Sequence, residues 1–66
     1  MPNTILRLPA VKLMTGKSRT AIYVDMKRDR FPKPISIGDR AVGWVLRDVE
    51  DWLNSRVMES LERRNR

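Results

Sequence analysis

Pro9, Gly16, Pro32, Pro34, Gly38 and Gly43 cut the first two thirds of the chain into pieces too short to fold alone. The pieces must therefore share one core. The composition offers no staple for it: the 66 residues include no Cys and no His, which excludes disulfides and zinc sites of the Cys and His types. Its 8 carboxylates are interspersed with basic residues instead of converging in a calcium-loop spacing. A chain of this length sits near the lower limit for a stable core. The expectation is one domain, residues 1–66, with a small core, no metal and no cofactor.

Each piece carries a local signal. Pro9 suits a first helical turn, where its missing N–H would be unpaired anyway, and Gly16 suits the end of that helix. Leu8, Val11 and Met14 give it one apolar face. Ser18 then stands as an N-cap for SRTAIYVDMKR, a second helix that turns Ile22 and Met26 inward, with Ala21 at the margin. Thr20, Val24, Lys27 and Arg28 fall on its outer side. Two short helices joined through a glycine turn form a helix-turn-helix.

Pro32 and Pro34 forbid helix and hold their predecessors extended. Alternation follows: Ile35 and Ile37 flank Ser36, Val42 and Trp44 flank Gly43, and Gly38-Asp39-Arg40 between them is a hairpin turn. The remaining segment places Val49, Trp52, Leu53, Val57 and Leu61 at helical spacing. Asp48, Glu50 and Asp51 at its start and Arg63, Arg64 and Arg66 near its end complement the helix dipole. Arg47 occupies the expected N-cap and cannot accept a hydrogen bond, so a serine there is expected to stabilise the helix. The fold class is α+β: a small winged helix-turn-helix of three helices, with one two-stranded β-hairpin as the wing.

Charge points to the partner. The net charge is +6, and the stretch Lys17–Arg47 holds eight basic residues against three acidic ones, while Asp48–Arg66 holds four against five. A localised cationic surplus suits a polyanion, although it also serves solubility. Gly16-Lys17-Ser18 matches the end of a phosphate-binding loop, but Val11 stands where the leading glycine belongs. Glu50 and Asp51 are explained by the helix dipole, and without His or Cys no catalytic group stands out; no enzyme is expected. Trp44 and Trp52 could serve as base-stacking platforms, yet both lie on apolar faces and suit a core.

The outward constellation is Ser18, Arg19, Thr20, Tyr23, Val24, Lys27 and Arg28 on the second helix, with Lys33 beyond it and Arg40 at the hairpin tip. Residues early in such a helix can reach base edges, whereas Lys27 and Arg28 suit phosphates. Arg40 suits an adjacent, narrow minor groove. The alternative for the whole set is a solvated polar face.

RLPAVKLMTGKSRTAIY followed by FPKPISIGDRAVGWVLRDVEDWL resembles the AlpA-type regulatory proteins of phages and prophages. The resemblance covers about Leu6 to Arg56. It implies a winged helix-turn-helix of the excisionase and MerR-like kind that acts on DNA near promoters or attachment sites, activating an integrase gene or assisting excision. Ser18, Arg19, Thr20 and Tyr23 would be the recognition set and Arg40 the wing contact. Three positions depart from the family pattern: Lys17 and Asp25 stand where apolar residues are usual, and Arg47 where a capping residue is. The expected partners are double-stranded DNA and a second copy on an adjacent site, with no membrane and no small-molecule substrate. No apolar run suits a membrane span and the N-terminal stretch does not suit a signal peptide, so a cytoplasmic location is expected. The rival reading is a protein-interaction module that inhibits a regulator by direct binding.

Overall fold

The computed structural model describes residues 4–64, in the order β1 (Ile5–Leu6), α1 (Leu8–Thr15), α2 (Arg19–Lys27), β2 (Ile35–Ser36), β3 (Val42–Val45) and α3 (Leu46–Arg64). This is the expected winged helix-turn-helix with one addition. The sheet has three strands in the order β1-β3-β2, both pairings antiparallel, because the N-terminal strand adds to the free edge of the hairpin. Arg66, assigned above to the C-terminal basic cluster, lies outside the described residues. No helix among the described residues is long and apolar enough to cross a membrane.

Local chemistry sets the helix limits. The carbonyl of Arg7 accepts from the amides of Ala10 and Val11 at 3.0 and 3.1 Å, so α1 starts at Leu8, with Pro9 in its first turn. It stops at Gly16, whose φ of 71° is the left-handed cap, with its N–H donating to the Lys12 carbonyl at 2.8 Å. Ser18 caps α2 as expected, its hydroxyl accepting from the Ala21 amide at 3.1 Å. The far end of α2 closes on Asp29, a non-glycine residue at φ 56°, while the Arg30 amide reaches back to the Asp25 carbonyl at 2.8 Å.

The start of α3 differs from the expectation. β3 runs into the helix without a turn, so α3 begins at Leu46 and Arg47 lies inside its first turn, not at the N-cap. The Leu46 amide instead donates to the Thr4 carbonyl at 2.8 Å, so the chain before β1 supplies an acceptor at this end. The stabilisation expected from a serine at position 47 has no basis in this geometry.

The core takes one large residue from each principal piece: Val11 from α1, Ile22 from α2, Phe31 from the connector, Trp44 from β3 and Val49 from α3, all buried. Leu6, Leu8, Met26, Trp52 and Leu53 pack around them. Both indole N–H groups are engaged, Trp44 with the Pro32 carbonyl at 2.9 Å and Trp52 with the Arg30 carbonyl at 2.7 Å. Phe31, between those two carbonyls, meets the Trp52 ring edge-on at 4.9 Å between centroids. The tryptophans are thus structural, as expected. Val57 and Leu61, read above as part of the apolar stripe, are 54% and 45% exposed, because the domain ends before the helix does. Every residue from Asn54 to Arg64 is exposed.

Gly43 explains how β1 fits. It is buried on β3 opposite Ile35, and a Cβ built on it would overlap Ile5 Cγ2 and come within 3.2 Å of the Leu6 carbonyl oxygen. The Gly43→Ala variant should lose about 1–3 kcal/mol in chemical denaturation, through displacement of β1. An unchanged denaturation midpoint would show that β1 does not press on Gly43.

Lys17 and Asp25 form one ion pair joining the inter-helix turn to α2. The Lys17 ammonium also lies 5.5 Å from the Trp52 ring centroid. The hydrogen bond from Lys17 holds the Asp25 carboxyl below the ordinary aspartate range; partial desolvation opposes this, and the charges of Lys17, Arg28 and Arg30 reinforce it. With the folded value lowered, this stabilisation is complete above about pH 4 and is lost as pH falls through the lowered value. Melts across that range should show a smaller acid loss for Asp25→Asn than for the parent, and parallel curves would remove Asp25 from the acid response.

Candidate nucleic-acid interface

Helical periodicity sorts α2 into an inner and an outer side. Ile22 is fully buried and Met26 packs against the core, while Asp25 turns toward Lys17. Opposite them run two adjacent rows with four-residue spacing: Arg19, Tyr23 and Lys27, and Thr20, Val24 and Arg28. All six are exposed except Tyr23, which is half-buried. Ser18 is exposed at the head of the helix, where its hydroxyl already caps Ala21.

The electrostatics of this side are one-signed. Arg19, Lys27 and Arg28 form no ion pair among the described residues, and the helix's own Asp25 is neutralised by Lys17 on its flank. The Arg19 guanidinium lies 5.8 Å from the Tyr23 ring centroid, which aligns the two side chains along the helix. Neither row contains a carboxylate. Such a surface attracts polyanions, and its mixture of hydroxyl, aromatic, methyl and guanidinium groups matches the donors and apolar surfaces that base edges require.

The remaining expected residues surround α2. Lys33 is exposed, pairs with Asp29 at 3.2 Å, and lines a groove with Tyr23 and Lys27, so the structure brings these three side chains together. Arg40 stands at the tip of the hairpin. There the Ser36–Val42 pair and the Ile37 amide donating to the Ala41 carbonyl at 2.9 Å leave a three-residue turn, Gly38-Asp39-Arg40, in solvent. Ile35, Ile37 and Val42 are each more than 40% exposed, so the hairpin is a projecting wing.

Lys12 escaped the sequence reading. It is exposed on α1 and lines a groove with Ser18 and Arg19. Its place four residues before the capping Gly16 was the available signal, because that spacing carries it to the inter-helix turn.

The sequence is similar to known proteins over most of its length. Residues 4–57 match the family described as prophage CP4-57 regulatory protein (AlpA). The DNA-binding transcriptional activator AlpA of Escherichia coli (strain K12) is 41% identical over 58 residues, spanning 79% of this chain and 83% of the relative. An uncharacterized protein of Enterobacteria phage P4, ORF88, is 35% identical over 52 residues, 79% of this chain and 59% of the phage protein. The matched region runs from the chain before β1 into α3 and includes the wing and both helices of the helix-turn-helix. The chain belongs to the AlpA family of prophage regulatory proteins.

Proposed function

We propose that this chain is a sequence-specific double-stranded DNA-binding transcriptional regulator of a prophage or integrated element, acting in the cytoplasm as a single winged helix-turn-helix domain. It works by occupancy, bending or recruitment and performs no chemistry of its own. The observation that carries this reading is the outer side of α2, two rows of polar, aromatic and cationic side chains, exposed except for the half-buried Tyr23, with no carboxylate among them. The Escherichia coli relative, named as a DNA-binding transcriptional activator, supports the same class of function.

In this reading α2 lies in the major groove. Ser18, Arg19, Thr20, Tyr23 and Val24 face base edges, and Lys27, Arg28 and Lys33 meet phosphates. Lys12 joins them from α1, the helix that crosses the backbone in such complexes. Arg40 follows the wing into the adjacent minor groove. The natural targets are promoters or attachment sites of the element, where binding would activate an integrase gene or assist excision.

Duplex binding of the parent and three variants, measured over a range of salt, separates the roles. Arg19→Ala and Thr20→Ala should each lose about 1–3 kcal/mol of discrimination between the target and a scrambled duplex, with thermal stability nearly unchanged. Arg40→Ala should weaken binding more on an A-tract-flanked site than on a G·C-flanked one and reduce the salt slope by about one counterion. Unaltered specificity in both α2 variants would reject the recognition helix, and an unaltered Arg40→Ala slope would remove the wing from the interface. A parent that binds duplex with no salt dependence, or not at all, would favour the protein-interaction rival.

A further inference from the structure

The second half of α3 carries an apolar row that the domain leaves uncovered. Leu53, at the edge of the core, is followed at four-residue steps by Val57 and Leu61, which are 54% and 45% exposed. With Arg56, Ser60 and Arg64 these residues line a shallow groove. Glu50, exposed beside the start of this row, lies about four helical turns before Arg64 and on the same side. The face is therefore apolar in the middle, acidic at one end and basic at the other.

That pattern is complementary to itself, but only in reverse. Turning the helix end for end about Val57 exchanges Leu53 with Leu61, Asn54 with Ser60 and Glu50 with Arg64. Two copies packed this way bury a Leu-Val-Leu row against its own reversal and set each Glu50 beside the partner's Arg64. They also place opposite helix-dipole ends side by side. A parallel arrangement would set Glu50 against Glu50 and Arg64 against Arg64. We propose that this face of α3 is a homodimerisation surface on which a second copy of the chain docks antiparallel, Val57 against Val57. The contact spans only a few turns, so the dimer is weak in free solution. It needs no DNA, and it leaves the outer side of α2 uncovered.

The chain has no native cysteine, so with a single introduced one any protein–protein disulfide joins two copies. Helix axes about 10 Å apart, with Cα atoms about 2.3 Å from each axis, bring facing Cα atoms to about 5.4 Å, within disulfide reach. In a glutathione redox buffer without DNA, Val57→Cys should cross-link at least about tenfold faster than Ser55→Cys, whose side chain points away from the row. Sedimentation equilibrium supplies the second readout. Glu50→Arg and Arg64→Glu should each weaken self-association roughly tenfold, since each turns two attractive pairs into repulsive ones, and the double variant should restore it. All four positions are exposed, and circular dichroism is the check that each variant folds. Equal cross-linking at positions 55 and 57, a parent that stays monomeric, or a double variant no better than the single ones would each overturn the antiparallel dimer.

Discussion

Two indole N–H groups hold the connector between α2 and the wing. Trp44 donates to the carbonyl of Pro32 and Trp52 to that of Arg30, and between them the Phe31 side chain enters the core against the edge of Trp52. Pro32 and Pro34 leave this segment unable to form ladder or helical bonds at those positions, so side chains must satisfy its carbonyls. Each such bond contributes about 0.5–1.5 kcal/mol net, and the aromatic contact about as much again. In a core of five buried residues that is a large share. The clamp ties the end of α2 to β3 and to α3 at once, and so fixes α2 relative to the wing.

A core this economical has a functional consequence. Because α2 gives up only Ile22 completely, its outer side is free to be polar and cationic without loss of packing. The one acid on the helix illustrates the same economy. Asp25 would oppose a polyanion if it faced outward, but it pairs with Lys17, which in turn rests over Trp52. Lys17 and Asp25 thus act as one ion pair on the flank of the helix. The helix keeps its cationic outer side.

Most of this was legible in the residues, where local chemistry decides local structure. Gly16 and Ser18 mark the turn and the cap because few other residues fill those roles. The Pro32-Pro34 break and the alternation around Gly38-Asp39-Arg40 announce the wing. Strand β1 was not legible, since two residues are too few to alternate; its trace was Gly43, whose missing Cβ makes room for Ile5 and Leu6. The start of α3 was hidden because Val45 passes from strand to helix with no breaker between, which misplaced Arg47 at the cap. Val57 and Leu61 continue the helical apolar spacing past the domain, and spacing cannot tell a face that meets the core from one that awaits another chain. The outward constellation on α2 followed from periodicity alone, whereas the grouping of Lys12 with Ser18 and Arg19, and of Lys33 with Tyr23 and Lys27, needed the tertiary structure.

The central claim is that the outer side of α2 and the wing tip form one nucleic-acid surface. It is tested most directly by titrating the 15N-labelled protein at low salt with a duplex long enough for one copy, while following backbone amide shifts. The account predicts that perturbations gather at Ser18–Arg28 and at Gly38–Ala41, with the amides of Asn54–Arg64 unmoved. Shifts centred on α3, or none at any duplex concentration, would contradict it.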